Sequence, residues 1–265
     1  MTARMGKIIA VSNQKGGVGK STTVVNLAAV LGSRGKKVLI VDFDPQGNST
    51  TSLGVRKKSV RNTIYEVIMR ECTAYEAVVA TEFTGVSMIP TTQRLSGASV
   101  SLLSMKDKAV QLREAISPAK DFYDYILIDC PPTLDMLTIN ALSAADSVIV
   151  PIQCEFLSLE GLAELNNTIK RVQRSFNEKL YLEGILFTMY VERYKVTGQI
   201  VKEVKKYFGG SVFETVIPRN IALSEAPSFG KPALYYDKKS KGSKAYEALA
   251  KEILKNEKKR EKEMT

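Results

Sequence analysis

The stretch VSNQKGGVGKSTT, Val11 to Thr23, decides how this chain is read. Laid on the phosphate-loop pattern G-x-x-x-x-G-K-[ST], Gly19, Lys20 and Ser21 fill the last three positions, but the first glycine falls on Gln14. Lys15, Gly16 and Gly17 fill that space, so the loop carries two lysines where a phosphate site needs one. Ahead of it KIIAVSN, Lys7 to Asn13, is a short apolar run, and behind it STTVVNLAAVLGSRG has helical spacing. Strand, loop and helix in that order are what a phosphate site requires. Glycines let successive backbone N–H groups turn around phosphate oxygens, and a helix N-terminus adds partial positive charge. Gly16, Gly17, Val18, Gly19 and Thr22 are therefore expected to line a nucleotide phosphate, with Lys20 reaching the β and γ oxygens and the Ser21 hydroxyl binding Mg²⁺. A glycine-rich turn without a ligand would not need the lysine, the serine and both flanking elements in register.

Five further apolar runs follow: KVLIVDFD (Lys37 to Asp44), VSMIPT (Val86 to Thr91), YDYILIDCP (Tyr123 to Pro131), SVIVPI (Ser147 to Ile152) and LEGILFTM (Leu182 to Met189). Each is short, β-rich and without alternation, the pattern of a strand buried on both faces. Helical patterns separate them, among them TINALSAAD, SLEGLAELNNTIKRVQRSF and TGQIVKEVKKYFGG. Alternation of that kind predicts an α/β fold, a doubly wound, mostly parallel sheet flanked by helices. No Pro-rich or Gly-rich linker divides residues 1–265, so one domain is expected, ending in a basic helix or tail at about 243–265.

The composition narrows the functional classes. Hydrophobic residues at 44% and charged residues at 25% exclude a disordered chain, and 265 residues suffice for a full core. Cys72, Cys130 and Cys154 are too far apart for a C-x-x-C pair or a zinc site of usual spacing, and they suit a reducing cytoplasm. Nowhere do about 18 apolar residues run together, and the start of the chain has no long apolar segment, so a soluble, unsecreted protein is expected. The net charge is +10, and half of it comes from Lys238 to Thr265, with ten Lys or Arg against five Glu. A solvated terminal helix explains such a tail, while basic excess also draws nucleic acid or anionic lipid.

Acidic strand ends fit the nucleotide reading. YILID ends on Asp129, and Asp42 and Asp44 stand where the second run emerges. The carboxyl ends of parallel strands border the ligand crevice, and Mg²⁺ favours carboxylates at one edge, often through water. Alone, each aspartate would read as a turn former or helix cap.

KGGVGKST with DFDPQGNSTTSLG, YILIDCPPTLDMLTINAL and IPRNIALSEAPSFGKP resembles the ParA/Soj family of chromosome and plasmid partition ATPases, within the wider deviant Walker A group of P-loop NTPases that includes MinD. The resemblance spans most of the chain; the loop marks the wider group and the later segments the ParA/Soj branch. It implies a homodimer formed on ATP in which Lys15 crosses to the partner subunit's phosphates, a role much like an arginine finger supplied in trans. It implies that Asp44 orients the attacking water, that Asp42 and Asp129 sit near Mg²⁺, and that Pro218 and Asn220 frame the adenine. Catalysis would then rest on Lys15, Lys20 and Asp44. IPRN also reads as a tight turn after a strand, and the two readings are compatible.

Such an ATPase implies non-specific double-stranded DNA as its track, a ParB-like centromere-binding partner, and a cytoplasmic, nucleoid-associated location. Contacts without sequence preference need only cations facing phosphates, and the candidates are Arg193, Lys195, Lys202, Lys205, Lys206 and Arg219, with Lys231 and the tail nearby in sequence. The chain departs from the family where RYKV from Arg193 replaces a common RTNL, and where Ala222 replaces a common arginine that contacts DNA. The alternative, a MinD-like positioning ATPase, would end in an amphipathic helix lying on lipid. Here the apolar residues stop at Leu254, and Tyr246, Leu249, Ile253 and Leu254 read as a helix packed on its own core, so membrane binding is the weaker reading. No cysteine pattern of an iron-sulfur reductase and no substrate-binding insertion of a metabolic ligase is visible.

Overall fold

The six apolar runs become six parallel strands of one sheet, with one addition. The computed structural model describes residues 6–156 and 158–263, so the first five residues and the last two of the basic tail lie outside it. The strands are β1 (Lys7–Val11), β2 (Val38–Asp42), β3 (Val79–Ala80), β4 (Val86–Ile89), β5 (Tyr125–Asp129), β6 (Ser147–Gln153) and β7 (Tyr181–Thr188), in the spatial order β3-β4-β2-β5-β1-β6-β7. The addition is β3, an edge strand antiparallel to β4 and too short, at two residues, to leave a periodic signal.

Helices on both faces complete the layers: α1 (Lys20–Ser33), α2 (Asn48–Ser52), α3 (Ile64–Ile68), α4 (Ala74–Ala77), α5 (Ala98–Leu103), α6 (Gln111–Ile116), α7 (Met136–Ala144), α8 (Ser158–Ser175), α9 (Lys195–Phe208), α10 (Ile221–Glu225), α11 (Ala233–Tyr236) and α12 (Lys241–Glu263). Alternate strand residues feed two separate cores. Ile8, Ala10, Leu39, Val41, Ile126 and Ile128 pack with α3 and α5 to α9. Ile9, Val11, Val38, Ile40 and Leu127 pack with α1 and α12. Burying one such side chain contributes roughly 1.5–3 kcal/mol, against a whole strand-propensity scale of about 1 kcal/mol. Burial on both faces therefore accounts for the unbroken apolar runs.

Parallel pairing brings the carboxyl ends of the strands to one edge, and the register sets what meets there. Val11 and Asp42 both pair with Asp129, so the end of β1 and the two carboxylates form one row across β1, β5 and β2. β1 lies between β5 and β6, and the chain leaving it enters α1.

α12 closes the α1 face. Tyr246, Leu249, Ala250 and Ile253 are buried at helical spacing, and the Tyr246 hydroxyl meets Thr23 Oγ1 at 3.1 Å. Lower on the helix a polar clasp holds it to the amino ends of the strands. Lys7 reaches Glu183 at 2.7 Å and Glu257 at 3.7 Å, Arg260 reaches Glu183 at 3.0 Å, and the Tyr125 hydroxyl donates to Glu257 at 2.6 Å. The apolar stripe of α12 is thus spent on this chain's own core.

Candidate functional site

The loop after β1 is shaped by what its carbonyls do. Asn13, buried, donates to Pro151 O at 2.7 Å and accepts from Lys15 N–H at 2.9 Å, which starts the turn. Gly17 (φ 73°) and Gly19 (φ 88°) adopt left-handed backbone that other residues rarely hold. Gly17 O accepts from Gln153 Nε2 at 2.9 Å and Val18 O from Thr188 Oγ1 at 2.8 Å, so both carbonyls point toward the ends of β6 and β7. A trans peptide is planar, so the N–H groups of Val18 and Gly19 point the opposite way, into the loop. With Gly19 as the left-handed residue before α1, the helix starts at Lys20, one residue earlier than the sequence reading put it.

Lys20 is 6% exposed, and its ammonium donates to Lys15 O at 3.0 Å. It makes no ion pair among the described residues. Burial pushes its pKa down, and Asp129, Cys130 and Asp44 act against that. A buried cation whose nearest carboxylates stand beyond ion-pair distance is costly unless an anion arrives.

Beside it stands the carboxylate row. Burial first, and in the case of Asp42 the charge of Asp129, push Asp42 up to about 8 and Asp129 up to about 6. Asp42 is held by the start of α2, accepting from Thr50 N–H at 2.7 Å and the Thr50 hydroxyl at 2.6 Å. Asp129 accepts from the Ser49 hydroxyl at 2.7 Å on Oδ2, and the Ser21 hydroxyl is near enough to pull its pKa down. Its Oδ1 is buried with no hydrogen-bond partner of normal geometry. Asp44 is buried in the turn that follows β2, its Oδ1 accepting from Gln46 N–H at 2.9 Å. Burial raises its pKa, against the Gln46 N–H, Lys20 and Lys57.

These donors fit Mg²⁺ only in part. No group of three or more His, Cys, Asp or Glu side chains able to hold a metal exists among the described residues. An open Asp129 Oδ1 beside a serine hydroxyl suits an ion that arrives with phosphates and keeps water ligands. Asp42, whose Oδ2 already accepts twice from Thr50 and whose Oδ1 accepts from Asp44 N–H at 3.4 Å, is better described as anchoring α2 beneath the site.

Lys15 is not over its own loop. Its ammonium pairs with Glu155, just past β6; Glu155 is exposed and Lys15 half-buried. Pro218 bridges Tyr190, two residues past the Thr188 that holds Val18, which links IPRN to the phosphate loop. Asn220 precedes α10, and its Oδ1 is buried without a partner, an acceptor suited to an amino group.

The basic candidates lie elsewhere. Lys195, Lys202, Lys205 and Lys206 are exposed on α9, whose opposite side buries Thr197, Ile200 and Val204, and Arg193 and Arg219 are exposed nearby in the chain. Spacings of seven, three and four residues put these lysines on one helical face. Ala222 is only 7% exposed, so the side chain at that position faces the interior.

Several contacts were not readable from the sequence. Ser49 and Thr50 hold the two aspartates, Gln153 and Thr188 hold the loop, and Glu155 holds Lys15. The run of hydroxyl residues in NSTTS was the one visible hint.

A family model described as an AAA domain matches residues 6–182. Over 252 residues the chain is 50% identical to the sporulation initiation inhibitor protein Soj of Bacillus subtilis, covering 95% of this chain and 100% of that one. Over 255 residues it is 48% identical to the chromosome partitioning protein ParA of Myxococcus xanthus, covering 96% and 90%. Among solved structures, cobyrinic acid a,c-diamide synthase from Mycobacterium smegmatis with bound ADP and magnesium is similar at TM-score 0.85 and 35% identity, covering 96% of each chain.

Proposed function

We propose, for a chain that belongs to the ParA/Soj family of partition ATPases, an ATP-driven switch that dimerises with Mg²⁺-ATP, binds duplex DNA without sequence preference, and lets go after hydrolysis. One observation carries the nucleotide part: a buried Lys20 ammonium with no ion pair, under a loop whose N–H groups of Val18 and Gly19 are turned inward. Phosphate oxygens satisfy all of these donors at once. Ser21 and the open Asp129 Oδ1 would hold Mg²⁺, directly or through water. When bound, that ion supplies positive charge to the phosphates during transfer.

The remaining steps belong to this chain's residues. Asp44, fixed by Gln46 N–H, would hold a water for attack on the γ phosphate. Asn220 would accept from the adenine amino group beside Pro218. Lys15 would exchange Glu155 for the phosphates bound by a partner subunit, giving a dimer that forms only when nucleotide is present. Two copies then place two basic α9 faces on one ligand, which raises the effective concentration of the second contact. A ParB-like partner would stimulate a slow intrinsic hydrolysis. The MinD-like alternative is weakened by α12, whose apolar side chains are buried in this chain.

The test is retention of unrelated duplexes in ATP, in ADP and without nucleotide, over a salt series. ATP-dependent retention that falls steeply with salt is expected, because each neutralised phosphate releases counterions. Retention on anionic vesicles but not on DNA at low salt would replace this reading with the membrane one.

A further inference from the structure

We propose that Lys57 is a positioning residue for Asp44: its ammonium braces, from the surface, the turn that holds Asp44 beneath the γ-phosphate position. The inference rests on the hydrolytic reading above and adds to it a residue outside every motif of the sequence.

The turn runs from Asp44 to Gly47. Gln46 N–H donates to Asp44 Oδ1 at 2.9 Å, and Gly47 N–H closes on Asp44 O at 2.8 Å. The second of these bonds uses the N–H of the peptide between Gln46 and Gly47, and the Lys57 ammonium binds the carbonyl of that same peptide at 2.6 Å. One peptide plane is therefore gripped at both ends, by the turn inside and by a cation outside. A charge-assisted bond to a carbonyl is among the stronger hydrogen bonds, and a planar peptide transmits that hold to the N–H on its far side.

Packing supports the same role. Gly47 is left-handed (φ 65°), and a Cβ there would lie 2.6 Å from both Cε and Nζ of Lys57 and 3.0 Å from Thr91 Cγ2. The lysine stem thus lies across the open side of the glycine. Lys57 sits between two exposed cations, Arg56 and Lys58, in the short 3-10 turn region after α2, and it is the least exposed of the three. Its neighbours face solvent, while it turns back over the loop. The inner side of the same loop is braced separately, by Thr91 N–H on Thr50 Oγ1 at 3.1 Å and by Thr50 on Asp42. Loss of Lys57 therefore leaves the fold and the phosphate loop standing, and loosens the one segment that aims Asp44.

The experiment compares Lys57→Met and Lys57→Arg in full-length protein. It measures single-turnover ATP hydrolysis with Mg²⁺, ATP affinity by direct titration, and melting temperature, with Asp44→Ala as the reference. Misplacing a catalytic group by a fraction of an ångström to 1 Å reduces rates by about tenfold to a hundredfold, so Lys57→Met should hydrolyse about tenfold more slowly while ATP affinity and melting temperature hold. Lys57→Arg should recover most of the rate. Wild-type turnover in Lys57→Met, or equal rates in the Met and Arg variants, would each overturn the inference. If Asp44→Ala is nearly inactive while Lys57→Met turns over normally, this inference alone falls. If Asp44→Ala hydrolyses as wild type, the role given to Asp44 falls, and this inference falls with it.

Discussion

Stability of the nucleotide-free protein should fall as pH rises from about 5.5 to about 7.5, and Asp42→Asn should remove much of that fall. The cause is the pair at the ends of β2 and β5, two fully buried carboxyl groups raised to about 8 and about 6. A carboxyl whose folded pKa is raised keeps its proton to higher pH in the folded chain than in the unfolded one. Its contribution is therefore complete below the unfolded value, about 3.9, and is lost as pH rises through the folded value. Across this window the folded pair retains about one proton that the unfolded chain has lost, which amounts to about 3 kcal/mol in all. For a chain of this size that is about 5–10 °C in melting temperature. Burial of Asp44 acts in the same direction. The window is clean because the chain has no histidine, and the lowered Glu66 and Glu183 have already ionised below it. The assay is thermal unfolding in EDTA at a series of pH values. The carboxamide oxygen of the substituted side chain can still accept from Thr50 but the group cannot ionise, so the stability of Asp42→Asn relative to wild type should grow steadily from the acid end of the window to the alkaline end. Mg²⁺ with nucleotide should flatten the wild-type slope, since the ion favours the ionised carboxylate. A flat wild-type profile in EDTA, or a full slope surviving in both Asp42→Asn and Asp129→Asn, would refute the account of this site.

Other expectations follow from separate contacts. Lys20→Ala should lose tight ATP binding in a direct titration, because backbone donors cannot replace a full charge, whereas Lys15→Ala should bind ATP as a monomer and fail to dimerise in size-exclusion runs. Glu183→Gln should destabilise the protein by about 3 kcal/mol, since Lys7 and Arg260 lose their common carboxylate; the paired change Lys7→Met/Glu183→Leu should recover part of the loss in thermal unfolding. Arg193→Ala should weaken DNA retention about equally for unrelated sequences and reduce the slope against log salt by about 1, while a base-dependent loss would reject phosphate contact.

Much of this molecule was legible before folding was considered. Six apolar runs without alternation could only be strands covered on both faces, and Ile8 and Ile9 entering different cores is the physical content of that pattern. The order of strand, glycines, Lys20, Ser21 and helix is local, so it survives in the sequence intact. The stop in apolar spacing after Leu254 foretold that α12 packs on its own chain.

Tertiary structure decided everything that depends on register or on distant partners. β3 gains its place only by pairing with β4, since two residues bury too little to announce themselves. Asp42 and Asp129 lie far apart in the chain, and only the β2–β5 register makes them neighbours, so that the charge of one raises the other, and divides their roles, one tied to Thr50 and the other with an unpartnered oxygen. Nothing near Lys15 predicts Glu155, and nothing near Asp44 predicts Lys57, because an exposed lysine in a basic run looks the same whether it faces solvent or a carbonyl. Periodicity records which face of an element is buried, and motifs record residues a few positions apart. Where two segments meet at a strand end is a property of the folded sheet alone.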